Sequence, residues 1–425
     1  VIVLTGAISG KARPWDLTHY VHMGQSLAVG YLSGTVLSTS QPYSNLMLHD
    51  SSGTYDITNP NAATLSLVPL VAPVRPVPGG GPTGYPTNIG GESPEVSFAN
   101  QLTALSIARG QGSRRIVTTN VGYSGQPYSV IRKGGTSNSY AAALYEIRAI
   151  ARLVALMGLT YGVGGLLLTH GESDSTNLQY GADILQLAQD FQGDVRAILG
   201  QAVPVPLYLS QQNSFPFQVA GPGVNISSRL QLAAGFTNPR QTVFALPKYQ
   251  YPYGSDNVHL INIGYIGYGE KLAINVDRYE QGKWQGTLQP VSFTRAGAVV
   301  TIGCNVPYPP MVFDSGHTGP HQSGTYAAWA LGNGLEARDD AGLITINSVA
   351  IVSNTLVVTM ARTPTTNLII SNADTGEPPI AGAGFAVGQG GRCSLIRDSD
   401  PAVGRSAQSG NVYANWLPEF VQAVA

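Results

Sequence analysis

The sequence predicts an α/β fold: a doubly wound, parallel five-stranded sheet with helices on both faces, followed by a C-terminal β-sandwich or jelly roll. Three observations carry this. Through the first two thirds of the chain, apolar β-rich runs alternate with amphipathic helical stretches, the pattern of a parallel sheet covered on both sides. After Trp284 the texture changes to short β-like runs separated by turn residues. The chain has 425 residues, 43% of them hydrophobic, enough for a large core despite 51 glycines and 28 prolines.

In chain order, the opening VIVLTGAISG is apolar, with no basic leader and no Met, and reads as an early strand or the stub of a processed chain. The strands expected after it are His19 to Met23, Arg115 to Asn120, Gly165 to Thr169, Pro206 to Ser210 and Thr242 to Leu246. Ser93 and Pro94 supply a cap residue and a first-turn proline for a helix that turns Val96, Ala99 and Leu102 inward. Leu144, Ile147, Ala151 and Val154 recur at helical spacing, as do Ile184, Leu187, Phe191, Val195 and Ile198; a last helix is expected after Asn262. From about 30 to 92 the chain is rich in Gly, Pro, Ser and Thr, with Pro69, Pro73, Pro76, Pro78, Pro82 and Pro86 closely spaced. So long an insertion inside a compact domain is usually functional, and it leaves from the end of the first strand, so it is expected to wall one side of a site there. These features divide the chain into residues 1–282 and a β-rich accessory domain, 283–425, in which VSFTRAGAVVTIG, LITINSVAIVSNTLVVTMA and NLIISN are the strand-bearing runs.

Composition excludes several classes of function. Charged residues make up 11% of the chain, against about 25% in an average soluble protein, and 23 basic against 24 acidic side chains leave a net charge of −1. That provides no cationic field for nucleic acid. The most apolar region, Ala141 to Leu168, is broken by Glu146, Arg148 and Arg152, so no membrane span is expected. Cys304 and Cys393 are too few for a disulfide framework or a cysteine zinc site, and leave open one disulfide or two buried thiols.

Three short blocks carry the chemistry. Gly24, Gln25 and Ser26 stand where the first strand ends, the edge at which ligands bind in an open α/β sheet. Asp256, Asn257, Val258 and His259 precede the last helix, a spacing that lets the carboxylate fold back onto one imidazole nitrogen and leaves the other to face a hydroxyl. THGESD, Thr169 to Asp174, closes the third strand with a polar cluster beyond what packing requires.

Taken together, and in this order, the blocks resemble those of the SGNH (GDSL-like) hydrolases, within them the carbohydrate O-acetylesterases related to sialate O-acetylesterase. There the blocks read GQSN, QGES followed by an acidic residue, and DxxH; here they are GQSL with Ser26, HGESD with Glu172 and Asp174, and DNVH with Asp256 and His259. NVGYSG matches a further block, with Gly122 at the position that supplies a backbone donor. The resemblance implies a flavodoxin-like sheet and a catalytic domain over 1–282. It also implies Ser26 as nucleophile, His259 as base, Asp256 as its orienting acid, and an oxyanion hole from Ser26 and Gly122, with His170 as a possible side-chain donor. Gln25, Glu172 and Asp174 are supporting residues, and Glu172 competes with Asp256 for the role of the acid. Two departures from the family stand out: Leu27 replaces the Asn of GQSN, and His170 the Gln of QGES.

Other residues read as structural. His19 and His22 are expected to be satisfied core or sheet-edge histidines, and Tyr308, Tyr326 and Trp329 to be packing residues. His317 and His321, with Asp314, have a spacing that could hold a metal but lack further ligands. Tyr249, Tyr251 and Tyr253 are either pocket wall or scaffold. The function expected is removal of acyl groups, chiefly acetyl, from a carbohydrate or surface polysaccharide by an acyl-enzyme route. No metal or organic cofactor is needed, and the expected partner is an acetylated carbohydrate, not nucleic acid or membrane; oligomerisation stays open. Low charge and Gly, Ser and Thr richness suggest an extracellular or virion-associated protein. The alternatives are a general short-chain esterase or lipase, and a non-catalytic glycan-binding or virion structural protein. A chain ending near Gly282 is expected to keep hydrolysing small activated esters.

Overall fold

A computed structural model describes residues 14–77, 90–112, 114–213, 226–254, 256, 258–314, 331–374, 394–405 and 413–425. Seven strands form the first sheet: β1 (Leu17–Gly24), β2 (Leu46–Asp50), β3 (Leu65–Pro69), β4 (Arg115–Asn120), β5 (Tyr161–Thr169), β6 (Leu207–Gln211) and β7 (Thr242–Pro247). Their order is β3-β2-β4-β1-β5-β6-β7, parallel throughout except that β3 runs antiparallel to β2 at the edge. The five strands expected from sequence are all present, and among themselves they follow the flavodoxin-like order, second-first-third-fourth-fifth.

The expectation of five strands is corrected to seven. The two extra strands lie inside the insertion, where LMLHD and LSLVP are short runs among prolines and turn residues and lack the length of a buried strand. Pro78, Pro82 and Pro86 lie outside the described residues. β1 is buried at all eight positions, as a central strand covered on both faces must be.

The helices are α1 (Pro94–Ala108), α2 (Tyr128–Ile131), α3 (Ser139–Leu156), α4 (Tyr180–Leu199), α5 (Ile226–Thr237) and α6 (Asn262–Glu280). Helices α3 and α4 cover one face of the sheet; Ile147, Ile150, Ile184, Leu187 and Phe191 meet Val21, Val163 and Leu166 there. Helices α1 and α6 pair on the other, where Phe98, Leu102, Tyr268 and Leu272 pack on Tyr20 and Leu167. Gly200, at φ +65°, ends α4 by giving its N–H to the Arg196 carbonyl. Ser93 does precede a helix with proline in its first turn, but its side chain makes no capping bond.

Beyond Gly282 the strands are β8 (Gln289–Ala296), β9 (Val299–Asn305), β10 (Val312–Phe313), β11 (Leu335–Asp339), β12 (Gly342–Ile344), β13 (Ile346–Val352), β14 (Thr355–Met360), β15 (Ile369–Asn372), β16 (Ile396–Arg397) and β17 (Phe420–Ala423). They form two four-stranded antiparallel sheets, β12-β11-β15-β17 and β13-β14-β9-β8, with a β10-β16 ribbon. Alternate residues of β9 and β14 are buried, so Val300, Ile302, Leu356 and Val358 enter one core with Leu335, Ile370 and Phe420 of the other sheet. That core also takes in Leu232 of α5 and Phe244 of β7. Cys304 is buried in it, and burial raises its thiol pKa to about 12. Cys393, His317, His321, Tyr326 and Trp329 lie outside the described residues.

Candidate active site

The site lies at the carboxyl ends of β1, β4, β5 and β7. At the end of β1 the chain turns sharply: Gly24 has φ +151°, and a Cβ there would lie 1.9 Å from the Thr169 carbonyl oxygen. Only glycine fits that approach. Gln25 N–H then donates to the same carbonyl at 3.1 Å, and Ala28 and Val29 N–H return to the Gln25 carbonyl. This places Ser26 in a tight turn, 6% exposed, its own N–H without an acceptor among the described residues.

Leu27, at the position of Asn in the GQSN block that this segment resembles, is 1% exposed and packs into the core between the sheet and α1 and α6, anchoring the turn by apolar contact. Asn120 and Glu95 brace it from below: Asn120 Nδ2 donates to the Ala28 carbonyl at 2.8 Å and to Glu95 Oε1 at 2.7 Å, and Glu95 Oε1 lies 2.5 Å from His22 Nδ1.

His259 belongs to a loop closed by Gly254 N–H donating to its carbonyl and by a bridge between Tyr253 and Leu260. Its Nδ1 lies 2.5 Å from Asp256 Oδ2, while Asp256 Oδ1 accepts the backbone N–H of both Val258 and His259 at 3.1 Å. Partial burial opposes ionisation of Asp256, but these bonds from His259 and Val258 outweigh it and hold the carboxyl below its usual range. Accepting at Nδ1 makes Asp256 fix the proton there, leaving Nε2 as the basic nitrogen. Nε2 is buried and has no hydrogen-bond partner among the described residues. Ser26 and His259 are therefore not joined by a hydrogen bond in this geometry. Their loops are fastened together instead: Tyr31 N–H donates to the Ser26 carbonyl, and the Tyr31 ring meets the imidazole edge-on at 5.1 Å. Asn262 adds bonds to the carbonyls of Ser33 and Thr35, so residues 31–35 of the insertion do wall this side of the site.

The remaining expected residues divide clearly. Glu172 is fully buried and its Oε1 faces Lys248 Nζ at 3.4 Å, so its described partner is that ammonium and not the imidazole. Asp174 accepts Tyr128 N–H at 2.7 Å and Asn177 Nδ2 at 3.0 Å, holding the loop after β5. Gln25 Oε1 accepts Ser173 N–H at 3.2 Å.

Two groups expected at the oxyanion hole already have hydrogen-bond partners in this structure. His170 Nε2 lies 2.9 Å from the Gln126 carbonyl, which can only accept, and Nδ1 lies 2.8 Å from the Tyr180 hydroxyl. Burial lowers the His170 pKa, against the charges of Asp174 and Glu172, so the neutral ring has its single N–H committed to Gln126. Gly122 N–H donates to Asn120 Oδ1 at 2.9 Å. Gly122 also allows a close approach, because a Cβ there would come within 2.8 Å of Val29, in the turn that holds Ser26.

His19 and His22 are core residues as expected. His19 pairs with Tyr161 and Thr119, and its pKa falls to about 3 through burial; His22 pairs with Glu95 and Thr169. Tyr249 and Tyr251 are buried scaffold, Tyr249 donating to the Leu417 carbonyl at 2.6 Å. Sequence reasoning did not find Tyr31 or Lys248. Neither lies in a recognisable block, and the contacts Tyr31–His259 and Lys248–Glu172 each span more than 70 residues of sequence.

No family model matches the sequence, and no curated protein matches it. Among solved structures, the chain is similar to XAC1771, a carbohydrate acetylesterase from Xanthomonas citri, with a TM-score of 0.58 at 10% identity over 95% of this chain and 80% of that one. At that identity the likeness speaks for the fold, and it extends across both the sheet and the β-rich region. A protein from Arabidopsis thaliana (TM-score 0.45, 16% identity, 62% of this chain and 98% of that one) and NanS (0.42, 12%, 62% and 97%) also match, at scores that carry no further argument.

Proposed function

We propose that this chain is a serine esterase that removes O-acetyl groups from a carbohydrate. The observation that carries the reading is His259. One of its nitrogens is held by Asp256 and the other has no partner among the described residues, on a loop packed through the Tyr31 ring against the turn that presents Ser26. The shared fold with a carbohydrate acetylesterase supports the substrate class.

In the proposed reaction Ser26 Oγ attacks the ester carbonyl while His259 Nε2 takes its proton, and Asp256 balances the imidazolium. Collapse of the tetrahedral intermediate breaks the bond to the sugar oxygen, which leaves as the alcohol with the proton from His259. The product is acetyl-Ser26. Water, deprotonated by the same nitrogen, then releases acetate and restores Ser26. The Ser26 N–H, a donor in the turn that no described residue engages, is assigned to the developing oxyanion. No step needs a metal or organic cofactor. The low charge and Gly, Ser and Thr richness support placing the protein outside the cell or on a virion, acting on surface polysaccharide.

The test is acetate release from a panel of acetylated polysaccharides, by wild type and by Ser26→Ala. The substitution removes one hydroxyl from a turn and leaves no large cavity, so the melting temperature is expected to hold while acetate release is abolished. Near wild-type turnover in Ser26→Ala would sink the assignment. A chain-length series of nitrophenyl esters separates an acetylesterase, fastest on acetate, from a lipase.

A further inference from the structure

Lys248 and Glu172 form a buried ion pair that no step above uses. Lys248 directly follows β7 and opens the loop that carries Asp256 and His259; Glu172 lies in a 3-10 turn (Glu172–Asp174) after β5. Both side chains are fully buried, with Nζ 3.4 Å from Oε1, and Glu172 Oε2 has no other partner among the described residues.

Each end of the pair is tied to something that matters for catalysis. Lys248 N–H donates to Asn213 Oδ1 at 2.6 Å, and its carbonyl accepts Tyr251 N–H at 3.2 Å and the Tyr253 hydroxyl at 3.4 Å, which fixes the first half of the His259 loop. On the other side, Ser173 N–H donates to Gln25 Oε1 at 3.2 Å, next to the nucleophile. The ammonium thus bridges the loop of the base and the segment that orients Gln25 and Ser26.

Such a pair is a poor source of stability, because taking two charges out of water offsets most of their attraction. Burial accordingly lowers the Lys248 pKa, against the pull of the Glu172 charge. Where two catalytic loops meet, what the pair supplies is geometry, and a shift of about 1 Å between reacting groups costs about a hundredfold in rate.

We propose that Lys248 is a positioning residue for ester hydrolysis, its link to Glu172 holding the His259 loop in place against the turn of Ser26. This rests on the reading of Ser26 and His259 given above. The test measures kcat, KM and melting temperature on p-nitrophenyl acetate for Lys248→Met, Glu172→Gln and the double variant K248M/E172Q. Ser26→Ala serves as the control for the underlying reading.

Each single variant leaves a buried group without its counterpart and is expected to lose stability. The double variant removes both charges and is expected to melt near wild type or above. Its kcat is nevertheless expected to stay about ten- to a hundredfold low, with KM within about threefold, because the bridge is gone and substrate contacts are not. A double variant with wild-type kcat overturns the proposal, as does a loss confined to KM. A double variant less stable than either single one also overturns it, since the pair would then be structural. Should Lys248→Met fail to fold, the double variant decides. Wild-type turnover in Ser26→Ala would instead overturn the serine-esterase reading, however Lys248 behaves.

Discussion

A single imidazole can carry this chemistry because its two nitrogens have different surroundings. His19, His22 and His170 are buried with both nitrogens paired, whereas His259 has Asp256 on Nδ1 and no partner on Nε2. For the proposed reaction, the same distances favour Asp256 as the acid beside the base: it is at 2.5 Å from the ring, while Glu172 is on Lys248. Asp256→Asn is expected to lower kcat by about two to four orders of magnitude with little change in KM, because the charge acts on the imidazolium of the transition state. Glu172→Gln is expected to cost less. Steady-state kinetics on a nitrophenyl acetate, at matched melting temperature, checks the ranking; a larger loss for Glu172→Gln would make Glu172 the acid. At this scale the DxxH spacing made Asp256 legible in the sequence, since a partner three residues away is reached by a local turn. Lys248 was not legible, since its partner is 76 residues distant.

At the scale of the element, the nucleophile turn is built from two contacts that sequence alone read differently. Gly24 was visible as part of the GQS block, but the reason for it, the Thr169 carbonyl 1.9 Å from where a Cβ would stand, belongs to the neighbouring strand. In sequence, Leu27 stands out as a departure from the GQSN block that this segment resembles. In the fold it is a core residue, 1% exposed, that replaces a polar anchor by an apolar one. Leu27→Asn, which restores the GQSN block, is therefore expected to destabilise the protein by about 2–5 kcal/mol, through a lost apolar contact and an amide buried without a partner. It is not expected to raise turnover. Urea unfolding together with kcat measures both; unchanged stability with higher turnover would mean that the turn has room for the hydrogen bond. The insertion shows the same limit, because its two strands pair with each other, and β2 with β4, by contacts that short, proline-flanked runs do not advertise.

Across the whole molecule, the last residues of the chain return to the first sheet. Trp416 meets the Tyr249 ring, the Leu417 carbonyl accepts the Tyr249 hydroxyl, and Glu419 exchanges two backbone bonds with the side chain of Gln211 at the end of β6. Asp400 pairs with buried Lys271 and with Arg278 of α6, and Tyr413 donates to Glu270. The expectation that a chain ending near Gly282 keeps its small-ester activity gives way to its opposite. Such a chain would expose Leu232, Phe244 and Tyr249 and release the strand end from which the His259 loop departs. It is expected to aggregate, or, where soluble, to lose hydrolysis of p-nitrophenyl acetate. Wild-type turnover in a monomeric truncated chain, by size-exclusion chromatography and kinetics, would show that the β-rich region does not shape the site.

By itself the sequence determined what local physics controls. Period-2 and period-3.6 patterns located the five principal strands and four of the helices, and the short blocks at strand ends put Ser26, Asp256 and His259 on one edge of the sheet. These are readable because hydrophobic periodicity and a three-residue spacing each act within a few residues of chain. The tertiary structure alone decided which polar groups were already committed: His170 to Gln126 and Tyr180, Gly122 to Asn120, Glu172 to Lys248. It also decided that residues 413–420 pack against the first sheet. A buried donor or acceptor takes whatever partner the fold brings within about 3 Å, and that partner is set by topology, not by distance along the chain.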